Sequence, residues 1–264
     1  MTDILSKILQ TKSEEVIAGA QQQSLQEIST KIDALPATKG FLKSLHQSIE
    51  TRGAAVIAEV KKASPSKGII RSDFDPQSIA KSYDAAGAAC LSVLTDQQYF
   101  QGNDAYINQV RAVSDLPILR KDFMIDAWQI YQSRLLGADC ILLIVAALGD
   151  AQLLELTILA HELGMDVLTE VHNEEELERA LQTPTQMIGI NNRNLKTFET
   201  SLDVSIRLKQ RLNNDLLVIS ESGIHSHDDV KRLQQHDIST FLIGESFMRQ
   251  DDPGAALQNI VFNQ

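Results

Sequence analysis

Eight short apolar runs recur along the chain, and their spacing constrains the fold more than any other feature of the sequence. Each run ends in polar or glycine residues and is followed by a stretch with helical spacing. The ends of successive runs lie about 21 to 35 residues apart, which is the length of one strand and helix unit. The runs are 56–60, 89–95, 116–121, 140–145, 166–171, 187–191, 216–221 and 240–244.

The runs are nearly continuous in apolar residues, as expected for parallel strands that helices cover from outside. Four of the intervening segments carry helix start signals, either an acidic capping residue before a proline or a capping-box pair. These signals are Asp75-Pro76, Asn173 with Glu176, Ser226 with Asp229, and Asp252-Pro253.

Eight such units within about 210 residues predict an α/β fold of one domain, a (β/α)8 TIM barrel spanning residues 1–264. The alternative is an open doubly wound sheet, which usually has fewer strands and often a GxGxxG turn that this chain lacks. Residues 1–50 precede the first strand and have helical spacing. We expect them to form an N-terminal helical extension that covers the barrel.

Charge and composition argue against several classes of protein. The formal net charge is −11, so we expect the chain to repel a nucleic acid backbone. The longest apolar run, 140–148, is about half the length needed to cross a bilayer, and residues 1–7 lack the apolar region of a secretory signal. We therefore expect a cytoplasmic protein without a membrane partner, in which Cys90 and Cys140 are reduced, buried thiols.

Polar residues gather where the predicted strands end, which is where barrel enzymes place their chemistry. Glu59 and Lys61 are two residues apart at the end of the first strand, so their side chains face the same way. Charged groups inside a barrel are costly unless they are paired or used, although structural ion pairs or solvated loop residues remain an alternative. The other strand-end residues are Lys121, Glu170, Asn191, Arg193, Glu221 and Ser222.

Two glycine-containing loops follow the seventh and eighth strands, where such barrels commonly bind phosphate through backbone N–H groups. They contain Ser222-Gly223 and Gly244-Glu245. These loops predict a phosphate ester as ligand. His225 and His227 form an HxH pair without a third ligand, so no metal site is assigned, and His172 after Glu170 is given no role.

The segment 56–68, with the sequence VIAEVKKASPSKG, closely resembles the signature of the indole-3-glycerol-phosphate synthase family. The resemblance extends over nearly the whole chain and includes the helical N-terminal extension. The other matching segments are 94–102, 119–123, 168–171, 188–195, 220–224 and 242–245.

The resemblance implies a lyase that converts 1-(2-carboxyphenylamino)-1-deoxyribulose 5-phosphate to indole-3-glycerol phosphate, carbon dioxide and water. It implies that Lys121 is the general acid, that Lys61 pairs with the benzoate carboxylate, and that Glu170, Lys61 and Glu59 are the candidates for the dehydration step. Asn191 and Glu221 match positions that contact substrate hydroxyls or orient the catalytic groups.

The resemblance also assigns substrate-binding positions. Arg193 matches a position near the substrate carboxylate, and the aromatic ring would lie against an apolar wall. Only a backbone contact is expected at Glu245, because serine is common there in the family. The wall residues are Phe100, Phe123 and Leu195, and the phosphate-binding residues are Ser64, Ser66, Ser222, Gly223, Gly244 and Glu245.

Other phosphate-binding barrels remain alternatives, because a fold does not fix a function. They are phosphoribosylanthranilate isomerase, a Schiff-base aldolase that would use Lys61 or Lys121, and a relative that only binds ligand or assembles with other proteins. The reaction implied by the resemblance needs no cofactor. We expect a monomer without a fused isomerase domain, with separate tryptophan-pathway enzymes as candidate partners.

Overall fold

The computed structural model describes residues 4–195, 197–213 and 215–263. Within them eight parallel strands close into a barrel, each paired with the next along the chain and the last paired with the first. The strands are β1 (Ala55–Val60), β2 (Cys90–Leu94), β3 (Ile118–Lys121), β4 (Cys140–Ile144), β5 (Asp166–Val171), β6 (Met187–Asn191), β7 (Leu217–Glu221) and β8 (Thr240–Ile243). The predicted barrel is confirmed and the open-sheet alternative is wrong.

Helices lie outside the barrel between successive strands. They are α4 (Pro76–Ala85), α5 (Ala105–Arg111), α6 (Ala127–Leu136), α7 (Asp150–Glu162), α8 (Glu174–Ala180), α9 (Asp203–Lys209) and α10 (His227–Gln234). Two further helices, α11 (Glu245–Met248) and α12 (Pro253–Leu257), follow β8, and the helices of the N-terminal extension precede β1. The structure also contains a 3-10 turn at Val145–Ala147, a π turn at Gln258–Phe262, and a hairpin of Ala63–Ser64 with Gly68–Ile69.

The predicted helix starts are observed, with one variation. Asp75, Ser226 and Asp252 each accept backbone N–H groups from the first turn of their helices. Asn173 caps α8 in the same way, but the carboxylate of Glu176 accepts the N–H of His172 instead of closing a capping box.

The interior of the barrel is filled by alternate residues of its strands. Residues such as Ile57, Leu119, Leu168 and Ile219 point inward and form one apolar layer. Their neighbours in sequence, such as Val56, pack against the surrounding helices in a second apolar core. This layer fills the middle of the barrel, and beyond it, at the carboxyl end, lie the charged side chains of Glu59, Lys121, Glu170 and Glu221.

The N-terminal extension covers both ends of the barrel. It consists of α1 (Ile4–Gln22), α2 (Leu25–Ile32) and α3 (Phe41–Arg52). Phe41 and Leu45 of α3 pack against Cys90 and Cys140 at the amino end. Residues of α1, in contrast, line the cavity at the carboxyl end. The expected helical extension is confirmed for the described residues, and residues 1–3 lie outside them.

A buried lysine holds α1 in place. The Lys12 side chain is only 3% exposed, and its Nζ lies 2.9 Å from a carboxylate oxygen of Asp96 and 2.9 Å from one of Asp122. Gly19 allows Trp128 to approach the helix, because a Cβ at that position would lie 2.4 Å from the indole ring. Helix α1 is therefore fixed to the loops after β2 and β3 by charge as well as by packing.

None of the described helices is both long enough and apolar enough to cross a membrane. Cys90 and Cys140 are buried free thiols, and burial raises the pKa of each well above its ordinary value. Buried thiols of this kind are unreactive.

Candidate active site

Charged side chains from four strands meet at the carboxyl end of the barrel. The Nζ of Lys121, at the end of β3, lies 3.0 Å from Glu170 Oε2 and 2.9 Å from Glu221 Oε2. On the other side, Lys61 Nζ lies 2.6 Å from Glu59 Oε2. The residues that end β1, β3, β5 and β7 therefore form two adjacent ion-paired groups inside one mouth.

Two glycines make room for these carboxylates. A Cβ at Gly189 would lie 2.2 Å from Glu221 Oε1, and a Cβ at Gly244 would lie 2.2 Å from Glu59 Oε2. Both glycines occupy inward positions of their strands or strand ends, where any larger residue would displace a carboxylate. Sequence reasoning assigned Gly244 only to phosphate binding and did not single out Gly189, although Gly189 stands two residues before Asn191 on the same face.

The paired charges set the protonation of the site. Burial lowers the pKa of Lys121, but the carboxylates of Glu170, Glu221 and Glu59 outweigh it and hold that pKa above its ordinary range. Burial raises the pKa of Glu170, but Lys121 and His172 outweigh it and hold that pKa well below its ordinary range. Lys121 is thus a cation and Glu170 an anion at neutral pH.

Glu221 differs from Glu170, although both contact Lys121. Burial raises the pKa of Glu221 to about 7, with Lys121 opposing the rise and Glu170 and Glu59 adding to it. Its Oε1 is buried and has no hydrogen-bond partner among the described residues. The mouth therefore contains one carboxyl group that changes protonation near neutral pH.

Asn191 connects the charged groups to the β6 loop. Its Nδ2 donates a hydrogen bond to Glu170 Oε1 at 3.2 Å, and its Oδ1 accepts the backbone N–H of Arg193 at 3.1 Å. The Arg193 side chain donates to Ser66 Oγ at 2.8 Å and lies 3.4 Å from Glu245 Oε2. One loop therefore links Glu170 to the loops that follow β1 and β8.

The loop after β7 has an unusual backbone. Ser222 and Gly223 have φ angles of 66° and 81°, so two successive residues adopt the left-handed region that a serine rarely occupies. A Cβ at Gly223 would lie 2.4 Å from the Thr200 side chain. Strained backbone of this kind is concentrated at ligand sites, and here it borders the cavity.

Ser64 and Glu245 lie at the same end of the cavity. The hydroxyl of Ser64 is buried and has no hydrogen-bond partner among the described residues. The Glu245 side chain is held by Arg193 and by Arg249, whose Nη2 lies 2.8 Å from Glu245 Oε1. The Glu245 carboxylate is thus engaged with arginines, which leaves its backbone for a ligand.

The opposite wall is apolar. The rings of Phe100 and Phe123 have centroids 6.0 Å apart at an interplanar angle of 41°, and Leu195 lines the same cavity. Ile4 and Leu5 of α1 also line it, together with Ile8. The sequence predicts helical spacing for residues 1–50 but not this position at the mouth, because helical periodicity does not indicate where a helix docks.

Every residue that the sequence assigned to catalysis or binding lines this one cavity. His172 does not line it but lies behind it, with Nε2 3.3 Å from Glu170 Oε1. The HxH pair does not converge. His225 contacts the hydroxyl of Ser246, whereas His227 contacts the carbonyl of Ile260.

Comparison with solved structures supports the fold. A KGPDC from Streptococcus mutans has a TM-score of 0.59 and 12% identity, covering 77% of this chain and 93% of that chain. The N-acetylmannosamine-6-phosphate 2-epimerase from Clostridium perfringens has a TM-score of 0.58 and 14% identity, covering 79% and 92%. Tryptophan synthase subunit alpha from Legionella pneumophila str. Paris has a TM-score of 0.62 and 11% identity, covering 86% and 100%. At these identities the likeness is one of fold.

The comparison with protein families is more specific. The family model for indole-3-glycerol phosphate synthase matches residues 5–260, which include α1 and the described mouth of the barrel. This match favours the lyase over the isomerase, the aldolase and the purely binding relative considered above. The chain therefore belongs to the indole-3-glycerol phosphate synthase family, the decarboxylating lyases of tryptophan biosynthesis.

Proposed function

We propose that the described mouth closes the indole ring of 1-(2-carboxyphenylamino)-1-deoxyribulose 5-phosphate, with Lys121 as the general acid. The observation that carries this proposal is the position of Lys121 between Glu170 and Glu221, 3.0 and 2.9 Å from their carboxylates. A phosphate-binding end and an apolar wall flank this group in the same cavity.

The substrate would lie across the mouth with its phosphate at the loops after β1, β7 and β8. Backbone N–H groups of Ser222-Gly223 and Gly244-Glu245 would contact the phosphate, and the unpartnered hydroxyl of Ser64 would donate a further hydrogen bond. Ser66 and Arg193 lie at the same end. The aromatic ring would then face the wall formed by Phe100, Phe123 and Leu195.

Ring closure requires a proton donor for the ketone oxygen. As the ring carbon that bears the carboxylate attacks the ketone carbon, the C=O π electrons move to oxygen, and that oxygen takes a proton from Lys121. The carboxylates that hold Lys121 cationic keep it in the donor form. The same observation weighs against an imine-forming aldolase, which needs a neutral lysine.

Decarboxylation follows at the same carbon. Lys61 would pair with the substrate carboxylate until the bond to carbon dioxide breaks and its electron pair restores the aromatic ring. Lys61 lines the cavity, and an ammonium group that donates one hydrogen bond to Glu59 has further N–H donors for the substrate carboxylate.

Dehydration then removes the new hydroxyl group and a proton from the carbon next to nitrogen. Glu170 is anionic and adjacent to Lys121, so it is placed to accept the proton. Lys61, held by Glu59, would donate a proton to the departing hydroxyl. These steps need proton transfers only, and we propose that no metal or cofactor takes part.

We propose that the chain works as a monomer. We propose that residues 1–264 act as one domain in the cytoplasm, with 1–50 as the extension. Separate tryptophan-pathway enzymes would supply its substrate and consume its product.

The direct test is fluorescence detection of indole-3-glycerol phosphate formed from synthetic substrate by the wild-type chain, with EDTA present. We expect turnover that EDTA does not change. Tight substrate binding without turnover would contradict the proposal and favour a non-catalytic relative. A covalent adduct trapped by borohydride would favour the aldolase.

A further inference from the structure

We propose that His172 is a positioning residue that holds the Glu170 carboxylate from outside the cavity, and that Glu176 holds His172 in that place. The inference deepens the proposed function and rests on it, because it concerns how Glu170 is kept ready for proton transfer. The family match does not assign a role to either His172 or Glu176.

The geometry places His172 behind Glu170. His172 follows β5 directly, its side chain is 9% exposed, and its Nε2 lies 3.3 Å from Glu170 Oε1. It does not line the cavity, so it does not touch the substrate in the proposed reaction. Lys121 contacts the other oxygen of the same carboxylate, Oε2, at 3.0 Å. Glu170 thus accepts hydrogen bonds from Lys121 and Asn191. The imidazole of His172 faces its Oε1 from the opposite side, as an ion-pair partner whose Nε2 makes no hydrogen bond to a described residue.

The first turn of α8 fixes the imidazole. Glu176 Oε2 lies 2.9 Å from His172 Nδ1 and accepts the His172 backbone N–H at 2.8 Å. The other oxygen of Glu176 accepts a hydrogen bond from Asn173 Nδ2 at 2.7 Å. Because Asn173 also caps α8, the helix start, Glu176 and the imidazole form one rigid turn.

The charges support the same conclusion. The groups that face His172 are Glu170 from β5 and Glu176 from α8, and those that face Glu170 are Lys121 from β3, Glu221 from β7 and His172. Burial lowers the pKa of His172, but its contacts with the two carboxylates outweigh burial and raise that pKa to about 10. His172 is therefore a cation at neutral pH.

This arrangement has a consequence for the reaction. When Lys121 gives its proton to the substrate, Glu170 loses the positive charge on its cavity side. His172 lies away from the reacting atoms and keeps its charge, so that Glu170 stays ionised and in place for the following proton transfer. A neutral side chain at residue 172 would leave Lys121 as the one cation in contact with Glu170 among the described residues, beside the amide of Asn191.

The test compares kcat and KM of wild type and His172→Gln from pH 8 down to the lowest pH at which both chains stay folded, with His236→Gln on the exposed surface as the matched control. Loss of the cation raises the pKa of Glu170 from its lowered value, so we expect the acidic limb of the kcat profile to lie at higher pH in the variant, by one pH unit per unit of pKa shift. We expect KM to stay within about threefold, because His172 makes no substrate contact. An acidic limb at the same pH in both chains would overturn the proposal.

A second measurement does not depend on turnover. Nitrogen-15 NMR of the wild-type imidazoles at pH 8 should contain one doubly protonated ring whose signal is absent from His172→Gln. Glu176→Gln should lower the pKa of that ring, because one of its two carboxylate partners is lost. A neutral His172 in the wild type would overturn the inference, whereas absence of wild-type turnover alongside a cationic His172 would reject the proposed function and not the placement of His172.

Discussion

Glu221 and Gly189 face each other across neighbouring strands so closely that a single methyl group at residue 189 would lie 2.2 Å from Glu221 Oε1. The pairing of β6 with β7 places Gly189 opposite Ile219, one inward position below Glu221. The carboxylate folds back over the glycine and reaches Lys121 with its other oxygen, at 2.9 Å. The absence of a side chain at residue 189 is therefore part of how Lys121 is held.

Gly189→Ala should reduce kcat by about one hundredfold, because a displacement of about 1 Å at a catalytic group costs rate on that scale. The overpacked position should also lower the free energy of unfolding by about 1–3 kcal/mol. The measurements are steady-state kinetics and urea unfolding. Gly149→Ala is the matched control, since a Cβ there meets nothing within 4 Å. Equal kinetics of the two variants would contradict the role given to Gly189.

Glu221 should make stability depend on pH near neutrality. Its pKa is raised from 4.5 to about 7, so between these values the folded chain binds more protons than the unfolded chain and this group's contribution falls as pH rises. The free energy of unfolding of wild type minus that of Glu221→Gln should therefore decrease from pH 5 to pH 8, by roughly 1–3 kcal/mol. Urea unfolding at several pH values measures this difference, and an increase over the same range would contradict the assignment.

Lys12→Met should both destabilise the chain and weaken substrate binding. Removing Lys12 leaves buried Asp96 without its described ion-pair partner and Asp122 with Arg120 alone, 3.7 Å away, at a cost of about 3–5 kcal/mol. Because Lys12 holds α1 at the cavity, we also expect KM to rise more than kcat falls. Lys7→Met, at an exposed position of α1, is the control. An unchanged unfolding free energy would contradict the buried pairing.

Ser64→Ala should raise KM by about tenfold and leave kcat nearly unchanged, because it removes a hydrogen bond to a charged phosphate that is made equally in the ground and transition states. Ser92→Ala provides an unusually close control. Both hydroxyls are buried without a described hydrogen-bond partner, but Ser92 does not line the cavity. A rise in KM for both variants, or for neither, would contradict the proposed phosphate contact.

The strand pattern was predictable because each parallel strand is buried on both faces and reads as an apolar run. The predicted bounds agree with β1 to β8 within two residues at every end. Glu59, Lys121 and Glu170 could be predicted to meet because the carboxyl ends of barrel strands converge. The family resemblance contributed the roles, which spacing alone left open.

The remaining features depend on contacts between distant parts of the chain. The sequence around Lys12 predicts a solvent-exposed lysine on a helix. Only the docking of α1 buries Lys12 beside Asp96 and Asp122. The role of His172 follows from the orientation of its imidazole between Glu176 and Glu170, and sequence spacing does not define that orientation. The need for a glycine at residue 189 can be recognised only when the register of β6 and β7 is known, because that register places Glu221 beside it.

The central claim is that Lys121, held cationic by Glu170 and Glu221, protonates the substrate during ring closure. The most direct test is kcat of Lys121→Met against that of Lys81→Met, which changes an exposed lysine of α4. We predict that Lys121→Met lowers kcat by about one hundredfold or more, the range of positioned acid catalysis, while still binding substrate. We predict no such loss for Lys81→Met. Near-normal turnover by a folded Lys121→Met chain would contradict the account.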